Sequence, residues 1–148
     1  MEIRRARPED GPAIAETYLE SFRTALPAVR LAHADDQIRR HFSTVVTNDL
    51  ETWVASVDDR LVGFLAIGDN HVDHLYVRPA AAGQGIGTAL LEQAKQRRPS
   101  GLRLWAFQVN TAARHFYEGR GFTTVKMTDG RHNQEHEPDV LYAWNADG

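Results

Sequence analysis

Apolar positions recur along this chain with two periods, and the switches between them mark out the elements. Ile3 opens a short strand-like segment. Ile14, Tyr18 and Phe22 then recur four residues apart, which predicts an amphipathic helix over about residues 9–25. Pro8, Glu9 and Asp10 suit its start, because proline fits the first turn and acids meet the positive end of the dipole. Pro27 stops it. A second helix is expected over about residues 34–47, with Ile38, Phe42 and Val45 on its inner face. Residues 53–57 and 61–67 read as strands, joined into a hairpin by the tight connection Asp58-Asp59-Arg60. Residues 72–77 form a third strand. Pro79 breaks the pattern, and Ile86, Leu90, Leu91 and Ala94 then carry a helical period. Pro99-Ser100-Gly101 is a turn. Residues 102–107 read as a strand, 110–120 as a helix closed by Gly121, and 122–127 and 140–144 as the last strands. This β-α-α-β-β-β-α-β-α-β-β order predicts a single α/β (α+β) domain over residues 1–148. Its mixed central sheet has about seven strands and is flanked by about four helices on both faces.

Composition narrows the function more than the fold. A chain of 148 residues, 42% hydrophobic and 25% charged, suits one ordinary globular domain. The net charge of -3, with no basic patch, argues against general binding to nucleic acid or to an anionic membrane. No cysteine is present, which excludes disulfides, thiolate zinc sites and an acetyl-cysteine intermediate. No apolar run approaches the ~20 residues that span a bilayer. The start Met1-Glu2-Ile3-Arg4-Arg5 lacks the apolar stretch of a signal peptide. A cytoplasmic protein is the expectation.

The first chemical feature lies at Val77-Arg-Pro-Ala-Ala-Ala82-Gly83-Gln84-Gly85-Ile86-Gly87, where a strand ends and a helix begins. Glycines let a ligand approach the main chain, and the free N–H groups of the first helical turn point at an anion. Such a turn suits a phosphate, and a pyrophosphate in particular. It is not a P-loop, because no Gly-Lys-Ser/Thr follows. The Gly83, Gly85, Gly87 spacing is not the dinucleotide GxGxxG either.

A second motif follows the next strand: Asn110-Thr-Ala-Ala113-Arg-His-Phe116-Tyr117-Glu-Gly-Arg-Gly121-Phe122. Together the two segments resemble the GNAT superfamily of N-acetyltransferases, and the resemblance extends to Ile3–Asp10 and to Val62-Gly63-Phe64. It implies a GNAT-like domain and acetyl-CoA as co-substrate. The acetyl group would pass directly to an amine through a tetrahedral intermediate. It assigns Leu75, Tyr76, Val77, Ala82, Gly83, Gln84, Gly85, Ile86, Gly87, Thr88, Asn110, Ala113 and Phe116 to the cofactor. One departure stands out. The family pattern has Arg or Gln where this chain has Ala82, and Gln84 is out of register. Weakened or altered pyrophosphate contacts are expected.

The reaction needs a base for the ammonium, a donor for the oxyanion and a proton or hydrogen bond for the thiolate. The resemblance sets Tyr117 beside the sulfur, and a phenol matches a thiolate in basicity. The oxyanion donor is expected to be a main-chain N–H near Leu75–Val77. Base candidates lie on His71-Val72-Asp73-His74. His71 falls in the register of a frequent family glutamate, and histidine titrates in the right range. On a regular strand His71 and Asp73 would share a face and His74 would point away. The same histidines, with His132 and His136, lack metal-ligand spacing, so no metal is expected.

The stretch 128–139 is long, polar and acidic. The resemblance makes it and the first two helices walls of the acceptor site, so Glu135, Glu137, His33 and Asp35 are substrate candidates. The default acceptor is a small-molecule amine. A protein or peptide amine and a non-catalytic acyl-CoA sensor are the alternatives. A homodimer is expected, with residues 140–144 as an exposed edge pairing across a two-fold axis.

Overall fold

Alternation of apolar side chains in the central strands feeds two cores. The computed structural model describes residues 1–146; residues 147 and 148 and the side chains of Val45 and Thr47 lie outside the described residues. The strands are β1 (Glu2–Arg5), β2 (Glu51–Val57), β3 (Arg60–Gly68), β4 (His71–Val77), β5 (Leu102–Phe107), β6 (Thr123–Thr128) and β7 (Asp139–Trp144). The helices are α1 (Gly11–Ala25), α2 (Asp35–Arg40), α3 (Thr47–Asp49), α4 (Ile86–Arg97) and α5 (Thr111–Glu118). One sheet holds the strands in the order β1-β2-β3-β4-β5-β7-β6. On β3, Leu65 and Ile67 join a core with Ile86, Leu90 and Leu91 of α4, whereas Phe64 and Ala66 join Ile14, Leu19, Ile38 and Phe42 on the other face. The helices thus cover both faces, as the element order implies. Leu90 and Leu91 are both 0% exposed; truncating either to alanine would cost about 2–5 kcal/mol.

The Asp58-Asp59 connection is a two-residue hairpin turn, with Val57 opposite Arg60. Both aspartates hold positive φ, 51° and 61°, the geometry that matches the twist of paired strands and that Asp tolerates. The second helix differs from a plain α-helix. After α2 the chain passes through a π-helical stretch, His41–Val46, before α3. The wider turn brings residues four apart closer to one line, so Ile38, Phe42 and Val46 form the buried stripe at 6%, 3% and 0% exposure. The side chain of Val45, expected there from the sequence, lies outside the described residues.

Gly121 closes α5 as expected. It holds φ +91°, and the Phe122 N–H donates to the Tyr117 carbonyl at 3.1 Å while Gly121 N–H reaches Glu118 O at 3.5 Å. This is a Schellman closure, with the Tyr117 and Phe122 rings packed 5.6 Å apart across it.

One expectation is corrected. Residues 140–144 are not an edge: β7 lies between β5 and β6, antiparallel to both. The long 129–138 connection lets β7 return past β6 and take the inner position, which leaves β6 at the edge.

Candidate active site

The site begins where the sheet opens. β4 and β5 are parallel neighbours that share a single Cα pair, His71 with Arg103, and there Arg103 N–H donates to Asn70 O at 2.9 Å. Beyond that point the strands part. A cleft of about 720 Å³ fills the gap, walled by β4 and β5, by Tyr18 and Phe22 of α1, by Phe116 and Tyr117 of α5, and by residues 132–135. The segment Leu75-Tyr76-Val77 lies along it. β3 pairs with β4 on the far side, so the cleft-side edge of β4 beyond His71 has no strand pairing among the described residues. Ser21 of α1 ties this wall down: its hydroxyl donates to Val77 O at 2.8 Å.

At one end of the cleft the glycine turn meets α4. Gly83 and Gly85 hold φ of +79° and +82°, and a Cβ at either would meet no atom within 4 Å. The turn is therefore an open backbone cradle before the first turn of α4. A Cβ on Gly87 would meet the Phe116 ring at 3.4 Å, so the lack of a side chain there lets α5 close on α4. Ala82 is exposed and offers only a methyl group. Thr88 stands on the same first turn and accepts two hydrogen bonds from the Arg120 guanidinium, at 2.8 and 3.2 Å. Sequence reading missed Arg120, although an arginine next to Gly121 in the second motif was a visible signal.

Asn110 caps α5, its side-chain oxygen accepting the Ala113 N–H at 3.2 Å, and it lines the cleft with Ala113 and Phe116. Tyr117 is 9% exposed. Its hydroxyl has no hydrogen-bond partner among the described residues, yet it is not a sealed, unsatisfied group; it opens on the cleft it lines. Burial pushes its pKa well above the usual phenol range, so it stays protonated.

The regular alternation expected for β4 breaks. Ala66 opposes His74 and Ile67 opposes Val72, so Asp73 is an extra residue in a bulge. Val72, Leu75 and Val77 therefore pack with the α4 core, while His74 packs against Phe42, Phe64 and Tyr76 on the opposite side. Asp73 and His74 both line the cleft, and His71 does not. Burial, and next to it the nearby His41, bring the His74 pKa down to about 4, so its ring is neutral near pH 7. Asp73 is reachable by solvent, but the surrounding protein pushes its carboxyl above the usual range, with His71 opposing.

The substrate candidates divide. Glu135 lines the cleft and accepts the Ala32 N–H at 3.2 Å, and His33 Nε2 lies 3.1 Å from Gln134 Oε1. These bonds strap the 129–138 loop to the segment before α2. Asp35 is paired with Arg23. Glu137 is held through its backbone by Asn133, at 2.7 and 3.1 Å, and is not part of the cleft wall. Among the described residues no group of acidic or histidine side chains is arranged to hold a metal ion. Asp139, one of the acids of the 128–139 stretch, is 3% exposed, lines the cleft and meets His132 Nε2 at 3.0 Å and Asn133 Nδ2 at 3.1 Å.

Comparison with known proteins agrees with this architecture. The acetyltransferase (GNAT) domain family model matches residues 48–124. The chain belongs to the GNAT acetyltransferase family. It is 34% identical over 124 residues to the peptidyl-lysine N-acetyltransferase YiaC of Escherichia coli strain K12, covering 83% of this chain and 84% of that protein. It is 33% identical to the peptidyl-lysine N-acetyltransferase YjaB of Salmonella typhimurium strain LT2, covering 87% of this chain and 88% of that protein. A crystal structure of the PaiA N-acetyltransferase of Thermoplasma acidophilum in complex with coenzyme A shares the fold at a TM-score of 0.78. Its identity is 24%, over 97% of this chain and 98% of that one. This GNAT protein is thus an acetyl-CoA-dependent N-acetyltransferase. The open glycine cradle, the free N–H groups opening α4 and the unpaired edge of β4 fit acetyl-CoA as its co-substrate. Among the described residues no helix is long and apolar enough to cross a membrane.

Proposed function

We propose that this GNAT protein acetylates the ε-amine of lysine in a peptide or protein. The observation that carries the reading is the shape of the acceptor side of the cleft. Tyr18, Phe22, Leu26, Tyr76 and Phe107 make it largely aromatic and apolar, and Glu135 adds a carboxylate to the same wall. A lysyl side chain is an apolar stem ending in an ammonium group and suits such a wall. The peptidyl-lysine activity in the names of its relatives YiaC and YjaB supports the same acceptor over a small-molecule amine.

Acetyl-CoA supplies an acyl carbon made electrophilic by its thioester. The chain's own residues do the rest. Asp73, unpaired among the described residues and with a raised pKa, takes the ammonium proton through water. The neutral His74 ring keeps the cleft wall uncharged beside it. The Leu75–Val77 main chain donates to the acyl oxygen. Tyr117 donates a hydrogen bond to the sulfur as charge develops there; with its pKa raised by burial, full transfer of its own proton is uphill, so hydrogen bonding carries the role. The cleft cradles the cofactor through Gly83–Thr88 on one side and Asn110, Ala113 and Phe116 on the other. A homodimer belongs to the same proposal, pairing through β6, one of the two edge strands of the sheet.

The test is acetylation of lysine-containing peptides, N-terminally blocked or free, beside free polyamines and amino acids, with the modified atom read by mass spectrometry. Acetyl on the lysyl ε-nitrogen supports the reading. Turnover of small amines alone would return the acceptor to that class. Binding of acetyl-CoA with no turnover of any amine would favour an acyl-CoA sensor.

A further inference from the structure

We infer that Arg120 supplies the positive charge that holds the phosphates of the co-substrate, in place of the side chain missing at Ala82. The inference rests on acetyl-CoA as co-substrate and not on the identity of the acceptor.

Three observations converge on Arg120. First, its guanidinium is held where the glycine turn enters α4. Nε and Nη2 donate to Thr88 Oγ1 at 3.2 and 2.8 Å, and Nη1 donates to Phe116 O at 3.0 Å. The guanidinium carbon also lies 4.0 Å over the Phe116 ring, a contact that fixes its plane. Second, those three bonds use three of the five guanidinium N–H groups and leave two. Every bonded partner is neutral; among the described residues no carboxylate pairs with Arg120. Third, the Thr88 hydroxyl accepts both of these bonds from Arg120, which leaves its own proton available for donation elsewhere. A cation and a hydroxyl donor therefore stand together at the opening turn of α4, next to a backbone cradle at Gly83 and Gly85 that is open to solvent.

The motif order explains why this arrangement would arise. A planar guanidinium matches phosphate oxygens geometrically, and an alanine at position 82 cannot. Arg120 reaches the same turn from the end of α5, across the Gly87–Phe116 contact. The charge is thereby delivered by the second motif rather than by the first.

The test separates phosphate binding from a merely structural staple. Coenzyme A binding to the purified protein is measured by calorimetry for the wild type, Arg120→Gln and Arg120→Lys. Turnover is measured in parallel with acetyl-CoA and with S-acetylpantetheine, which carries the thioester arm and no phosphates. Arg120→Gln should weaken coenzyme A binding about tenfold or more, flatten its salt dependence and leave kcat/KM for S-acetylpantetheine within about twofold. Arg120→Lys should retain part of the affinity. Adding Ala82→Arg to Arg120→Gln should restore coenzyme A binding. Unchanged coenzyme A affinity in Arg120→Gln would overturn the inference, and so would an equal loss with both thioesters. If Arg120→Gln does not fold, Arg120→Lys decides the matter by the same comparison of thioesters. Failure of the lysine-acceptor reading would leave the calorimetric result untouched, so the two proposals fail separately.

Discussion

At the scale of single residues, Tyr117 carries the sharpest consequence. It lines the cleft, its hydroxyl has no partner among the described residues, and burial raises its pKa. Replacing it by phenylalanine keeps the ring that packs on Phe116 and Phe122, at 5.2 and 5.6 Å, and removes only the donor. Tyr117→Phe should lower kcat by roughly 10²-fold, the low end of what one hydrogen-bond donor to developing charge contributes, with little change in KM for acetyl-CoA or in Tm. Steady-state kinetics with thiol detection would read this, and an unchanged kcat would remove Tyr117 from the chemistry. Tyr117, Asn110 and the glycines were legible because their motif is local: each sits a fixed number of residues from the next. Which β4 side chains line the cleft was not legible. A bulge at Asp73 resets the alternation there, and a bulge is set by the pairing with β3, which no spacing within residues 71–77 reveals.

At the scale of elements, Glu51 joins the start of β2 to the end of α4. Its carboxylate accepts from Arg97 at 2.7 Å, Arg98 at 3.1 Å and Trp53 Nε1 at 2.9 Å. Burial alone would raise its pKa, but the hydrogen bonds from Arg97, Trp53 and Arg98 outweigh it and bring it down to about 2. The folded carboxyl is thus more acidic than the unfolded one, whose value is 4.5. The stabilisation is fully present above pH 4.5 and is lost as pH falls toward 2. His74 acts in a different window. Its folded pKa of about 4 lies below the unfolded 6.5, so the unfolded state takes the proton first and stability falls as pH drops from 6.5 to 4. Glu51→Gln should lower Tm at pH 7 and flatten the fall below pH 4.5, while leaving the fall between pH 6.5 and 4 in place. Thermal melts across pH check both parts. The elements themselves were readable from the chain. The Asp58-Asp59 turn and the Gly121 closure follow from residues that accept positive φ. The π-helical stretch was not, because its widened turn serves to seat Phe42 and Val46 in a core made by distant strands.

At the scale of the whole molecule, the cleft exists because the sheet is split between two halves that meet at His71 and Arg103. The bonds from Glu135 to Ala32 and from Gln134 to His33 strap the cleft-lining loop to the segment before α2. Glu135→Ala should remove one strap bond and the carboxylate together. KM for the amine should rise about threefold to tenfold, as expected for a lost charge-assisted contact, and KM for acetyl-CoA should stay unchanged. An unaltered amine KM would leave the strap as a structural link only. The sequence by itself determined the element order, the turn residues, the cofactor motif and the family, because each depends on residues close together along the chain. It also exposed the gap at Ala82. Only the tertiary structure decided the parting of β4 from β5, the inner position of β7, the bulge at Asp73 and the arrival of Arg120 beside Thr88. Each of these joins residues distant in sequence, and packing between elements, not local propensity, selects which of them meet.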